Sequence, residues 1–127
     1  MAPILSEEAQ EFYGASGGFT SIRKLCKPGE KITIKLLDMN KDINSKYKIK
    51  DKDYSYLVSL EKDGSRLRMN VNSKDLIRQL VDALYPDGPT KPISPCWATL
   101  TRRVERKSFE SEASITRGEA LNDQIQL

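Results

Sequence analysis

The residues with the most distinctive chemistry are cations concentrated in two short segments, one of which also contains an aromatic ring. Residues 41–52 contain five lysines and Tyr47 against two aspartates, and residues 102–107 contain three arginines and one lysine against one glutamate. Each segment has a net charge of +3, as does the whole chain, so the remaining residues together carry −3. Lysine and arginine hold phosphate groups, and an aromatic ring among lysines favours stacking on flat rings. The alternative interpretation is that both segments are ordinary solvated connections.

The chain offers little for catalysis. It contains no histidine, which removes the commonest general base, and no serine or cysteine lies in a nucleophile motif. Its paired carboxylates fall in segments with the composition of solvated loops. The two cysteines, Cys26 and Cys96, have no metal-ligand spacing and predict reduced thiols rather than a disulfide framework. We therefore expect no enzyme activity, no cofactor and no metal site.

Three strands must position these residues, because three runs alternate apolar and polar side chains with a period of two. The runs span residues 31–39, 54–61 and 66–71. Between the second and third runs, Asp63-Gly64 is the dipeptide most typical of a tight β-hairpin.

The period then changes to 3.6 over residues 76–84, where five apolar side chains form one helical stripe. Ser73 or Asn72 is placed to cap this helix, and a proline- and glycine-containing stretch at 85–89 ends it. Residues 97–104 and 108–115 predict two further strands. A short N-terminal helix is predicted within residues 1–13.

The order strand, strand, strand, helix, strand, strand, together with Pro28-Gly29-Glu30-Lys31 before the first strand, resembles the OB-fold of single-stranded nucleic-acid-binding proteins. The resemblance covers residues 31–115. It implies a mainly β, α+β fold: a five-stranded OB-type Greek-key barrel with a helix between its third and fourth strands. We expect an N-terminal helix and glycine-rich connector at 1–24, the barrel at 25–116 and a C-terminal tail at 117–127.

The resemblance also implies a binding surface on the second and third strands and their flanking loops. Two placements stay open: the alternation puts Tyr54 and Tyr56 on the core side unless a bulge intervenes, and Trp97 is either a stacking residue or a plug at the end of the barrel. The residues predicted to bind nucleic acid are Lys41, Lys46, Tyr47, Lys48, Lys50, Tyr54, Tyr56, Arg66, Arg68, Trp97, Arg102, Arg103 and Arg106.

The leading hypothesis is a sequence-tolerant single-stranded DNA-binding protein acting in replication, recombination or repair. DNA is favoured over RNA as the partner, although the sequence does not distinguish them. A homodimer is left open. The alternative is a non-enzymatic adaptor or subunit that uses the barrel to bind another protein. No run approaches the roughly 18 apolar residues of a membrane span, and we expect a cytoplasmic protein, associated with the nucleoid or the host cytoplasm if it is viral.

Overall fold

The structure, a computed structural model, describes residues 18–105, 107 and 110–118. In this part of the chain, six strands form one mixed, open sheet, which is accompanied by one long helix and one single-turn helix. The order along the sheet is β1-β4-β3-β2-β5-β6, with β1 parallel to β4 and every other pair antiparallel. The elements are β1 (Gly18–Phe19), α1 (Ile22–Leu25), β2 (Lys31–Asp42), β3 (Ser55–Lys62), β4 (Ser65–Val71), α2 (Lys74–Leu84), β5 (Cys96–Arg102) and β6 (Ala113–Arg117).

The mainly β, α+β class and the element order predicted from the sequence are confirmed. At the predicted hairpin, Asp63 and Gly64 have φ angles of 53° and 83°, the left-handed conformation that a tight turn between β3 and β4 requires. α2 begins at Lys74, where the Ser73 hydroxyl accepts a hydrogen bond from the Leu76 amide. The last strand begins later than predicted, at Ala113.

The core lies on one side of the sheet and is closed by the apolar stripe of α2. The alternating residues of β2, β3 and β5 point into it, and the helix contributes Leu76, Leu80 and Leu84. α1 adds Ile22 and Leu25. The completely buried apolar residues of β2, β3 and β5 are Ile34, Leu36, Val58, Leu60, Ala98 and Leu100.

A β-bulge in β2 decides which side chains share a face. The register with β3 shifts between Leu36 and Asp38, so Leu37 is an extra residue opposite β3. As a result, Asp38 lies opposite Ser59, and Met39 returns to the core opposite Val58. Without the bulge, strict alternation would turn Asp38 toward the core.

The sequence predicted a five-stranded OB-type barrel; the described strands instead number six and form an open sheet that does not close into a barrel, so the prediction is wrong in strand number and in closure. The outer edge of β4 is occupied by β1. Directly after β1, the Thr20 amide donates to the Arg68 carbonyl of β4 at 2.8 Å. The other edge, on β6, is occupied by a side chain of α2. The Gln79 amide oxygen accepts from the Ile115 N–H at 2.6 Å, and its nitrogen donates to the Ala113 carbonyl at 3.3 Å. These groups are therefore not free for pairing between β4 and β6.

Several predicted features lie outside the described residues, namely the N-terminal helix within 1–13, positions 14–17 of the connector, and positions 119–127 of the tail. The remainder of the predicted connector, positions 18–24, contains β1 and the first three residues of α1. Within the described residues, no helix is long and apolar enough to cross a membrane.

Candidate functional site

The sheet surface that faces away from the core is polar but carries two exposed aromatic rings. Residues directly opposite each other on paired strands project to the same face, so the strand registers identify its members. We call this surface the outer face. The members that matter below are Phe19, Lys35, Asp38, Leu57, Ser59, Glu61, Arg66, Arg68 and Trp97.

Trp97 is at one end of a row that crosses four strands. The register places Trp97 opposite Lys35, Lys35 opposite Glu61, and Glu61 opposite Arg66. The Lys35 ammonium lies 5.7 Å from the centroid of the Trp97 ring, and the tryptophan is 48% exposed. Trp97 is thus a surface residue of the sheet with a cation beside it, rather than a plug in the core.

Phe19 is at the opposite end of the neighbouring row. The register places Phe19 opposite Arg68, Arg68 opposite Ser59, and Ser59 opposite Asp38. The Arg68 guanidinium carbon is 4.9 Å from the centroid of the Phe19 ring, and the ring is 52% exposed. The two rows therefore share one pattern: an exposed aromatic ring at one end of the row and a cation next to it.

The rings of Phe19 and Trp97 lie four strand spacings apart, which places them roughly 20 Å from each other across the sheet. Between them lie three basic side chains and two carboxylates, namely Lys35, Arg66, Arg68, Asp38 and Glu61. The Phe19 and Trp97 rings lie on a solvent-exposed sheet face and contribute little to folding, because neither ring is buried. The arrangement can bind an extended ligand that carries flat rings and negative charges.

Tyr54 and Tyr56 are not on the outer face. Their rings make an edge-to-face contact at 5.8 Å, Lys41 places its ammonium 4.5 Å from the Tyr54 ring, and Tyr56 packs against the core. Burial raises the pKa of the Tyr56 phenol. The bulge that would have turned these tyrosines outward is in β2 rather than β3, so the alternation correctly placed Tyr56 on the core side.

The connection between β2 and β3 presents Tyr47, which is 69% exposed, together with Lys46 and Lys50. Lys48 contacts the loop's own backbone instead. Its ammonium donates to the carbonyls of Ile43 and Asp53, both at 3.1 Å, and so ties the two ends of the loop together. Lys50 lines an open groove beside the start of α2.

Arg102 and Arg103, predicted to hold phosphates, contact protein groups in the structure. The Arg102 guanidinium donates to the Cys26 carbonyl at 2.9 Å. The Arg103 guanidinium donates to the Ser111 carbonyl at 3.1 Å and lies 3.6 Å from the Glu110 carboxylate. These contacts fasten the end of β5 and the segment before β6. Arg106, the third arginine, lies outside the described residues.

The other groups with shifted pKa values are part of the folded framework rather than of the outer face. Asp75, on α2, accepts hydrogen bonds from the Ser111 hydroxyl at 2.6 Å and the Ser111 amide at 3.0 Å, which lower the pKa of its carboxyl. Burial raises the pKa of the Cys26 and Cys96 thiols, so both are poor nucleophiles. Within residues 18–105, 107 and 110–118, no group of three or more histidine, cysteine, aspartate or glutamate side chains is arranged to hold a metal.

The structure brings together Arg66, Arg68 and Trp97 from the predicted set and adds two residues that sequence reasoning missed. Lys35 was visible as a polar position of β2, but only the register places it beside Trp97. Phe19 follows a glycine-rich stretch and belongs to a two-residue strand, too short to leave a periodic signal. No family model, no curated protein and no solved structure matches this chain.

Proposed function

We propose that this protein binds single-stranded nucleic acid, DNA in preference to RNA, on the outer face and without catalysing a reaction. The observation that carries the proposal is the pair of exposed rings, Phe19 and Trp97, each with a cation within 6 Å on the same sheet face. Aromatic platforms and nearby cations are what proteins use to hold unpaired bases and phosphates.

The topology supports this proposal. We propose that the sheet is an open variant of the OB-type fold, in which β2, β3, β4, β5 and β6 correspond to its five strands and α2 to the helix after the third. OB barrels are partly open, and they bind oligonucleotides on the face of their second and third strands. Here those strands are β3 and β4, which carry Leu57, Arg66 and Arg68 of the outer face.

Binding would proceed by electrostatic capture followed by stacking. Lys35, Arg66 and Arg68 draw in the phosphate backbone, and unpaired bases then stack on Trp97 and Phe19. Stacking on an aromatic ring contributes about 1–3 kcal/mol per base. A duplex presents no free base faces, so the outer face selects single strands. Asp38 and Glu61 reduce the positive charge of the surface, which is consistent with moderate affinity.

The experiment is a titration with oligo-dT that follows the fluorescence of Trp97, the only tryptophan of the chain, at about 50 and 200 mM salt. We expect quenching that weakens at the higher salt concentration and is absent with a blunt duplex of equal length. A Tyr47→Ala variant is the matched control, because it removes an exposed ring from the loop between β2 and β3 rather than from the outer face.

An unchanged signal, together with no retention of the oligonucleotide in a gel shift, would contradict the proposal. That result would favour the alternative, a non-enzymatic adaptor that uses the exposed rings to contact another protein.

A further inference from the structure

Glu61 places a carboxylate in the middle of the outer face. Its register partners are Lys35 on β2 and Arg66 on β4, so a cation lies on either side. Despite this, Glu61 forms no ion pair and no side-chain hydrogen bond with any residue in the described part of the chain. Its side chain is half-buried, and none of the residues that the structure describes donates a hydrogen bond to its carboxylate oxygens.

A carboxylate at this position controls how a single strand can lie. It would repel phosphate, so on the proposed interface the sugar-phosphate backbone would follow the flanking cations and place bases, rather than phosphates, over Glu61. In an unpaired strand, the base edges that normally form Watson–Crick pairs are free for protein groups to read.

The four bases present different edges to a carboxylate, which only accepts hydrogen bonds. Guanine offers two adjacent donors, its N1–H and its 2-amino group, and these match the two carboxylate oxygens. Cytosine and adenine each offer one amino donor beside an acceptor nitrogen. Thymine offers one N–H between two carbonyl oxygens, which a carboxylate repels. A glutamate therefore favours guanine, which presents two adjacent donors, over the other bases, which present one donor each.

We infer that Glu61 is a specificity-determining residue that selects guanine at one position of an otherwise sequence-tolerant single strand. This inference rests on the proposed function, because it concerns the same surface. It adds a base preference, whereas the aromatic rings accept any base.

The test compares three single strands of equal length by competition against a fluorescent oligonucleotide: oligo-dT, oligo-dT with an isolated guanine at every fourth position, and the same strand with hypoxanthine in place of guanine. Hypoxanthine keeps the N1–H and lacks the 2-amino donor. We expect the guanine strand to bind at least about fivefold more tightly than oligo-dT, the lower limit for a bidentate base contact, with the hypoxanthine strand between them.

The decisive variant is Glu61→Gln, because an amide replaces one acceptor with a donor. It removes a negative charge and is expected to strengthen binding to every strand, so the readout is the ratio of the affinities for the guanine and thymine strands. That ratio should fall to about one. Asp87→Asn is the matched control: it removes the same charge from an exposed position in the connection between α2 and β5, away from the outer face, and should leave the ratio unchanged.

Equal binding of the guanine and thymine strands by the unmodified protein would overturn the inference while leaving the proposed function intact. A preference for guanine that persists in Glu61→Gln would also overturn it. If no single strand binds at all, the proposed function itself fails, and the base preference with it.

Discussion

Replacing Lys35 by alanine should change how binding depends on salt, because Lys35 is one of three basic side chains of the outer face that we assign to phosphates. The other two are Arg66 and Arg68. Each phosphate neutralised on a single strand contributes about 0.7 to the slope of log affinity against log salt concentration, so three contacts predict a slope near −2.1. Between 50 and 200 mM salt, this slope weakens binding about 18-fold.

The Lys35→Ala variant retains two contacts and should show a slope near −1.4, which corresponds to about a sevenfold loss over the same range. The assay is fluorescence anisotropy of an end-labelled oligo-dT, which does not depend on the Trp97 signal beside the mutated residue. Lys91→Ala is the control, because Lys91 is exposed and lies in the connection between α2 and β5, away from the outer face. Equal slopes for Lys35→Ala and the unmodified protein, or the same decrease in Lys91→Ala, would refute the assignment of phosphates to the outer face.

Three further predictions test individual contacts. Phe19→Ala should weaken binding of oligo-dT about 5- to 150-fold, the equivalent of one stacked base. It should not lower the melting temperature, because the ring is half exposed. A large drop in melting temperature would show instead that Phe19 serves folding. Gln79→Leu leaves the Ile115 N–H without its partner and should lower the free energy of unfolding by about 1–3 kcal/mol in chemical denaturation, so an unchanged midpoint would contradict the edge-covering role. Hydrogen bonds from Ser111 lower the pKa of Asp75, so this carboxylate stabilises the fold at pH values above its unfolded pKa of about 3.9, and the stabilisation is lost as the pH falls through the lower folded pKa. The difference in unfolding free energy between the unmodified protein and Asp75→Asn should therefore shrink from pH 6 to pH 2. A constant difference would refute this linkage.

The secondary structure was predictable because hydrophobic periodicity and turn chemistry are local. The Asp63-Gly64 dipeptide specified the hairpin, and the apolar stripe specified α2. The same alternation placed Tyr56 on the core side, where the structure has it.

The openness of the sheet was not predictable in this way. It depends on which groups occupy the strand edges, and Gln79 on α2 pairs with the β6 edge through residues more than thirty positions away in sequence. Nothing in a helical stripe distinguishes a solvated glutamine from one that hydrogen-bonds to a strand.

The candidate site was predictable only in part, because composition reports charge but not partners. Arg102 and Arg103 are as basic in sequence as Arg66 and Arg68, yet the first two contact backbone carbonyls and the last two lie on the outer face. Phe19 became a candidate only through its parallel pairing with β4.

Photochemical cross-linking tests the binding surface most directly. A single strand in which thymine is replaced by 5-bromouracil would be bound to the full chain and irradiated, and the attached residues identified by mass spectrometry of the digested protein. We expect cross-links to Trp97 and Phe19, the two rings of the outer face. Cross-links confined to Tyr47 or to Tyr54, with none on the outer face, would contradict the proposed interface.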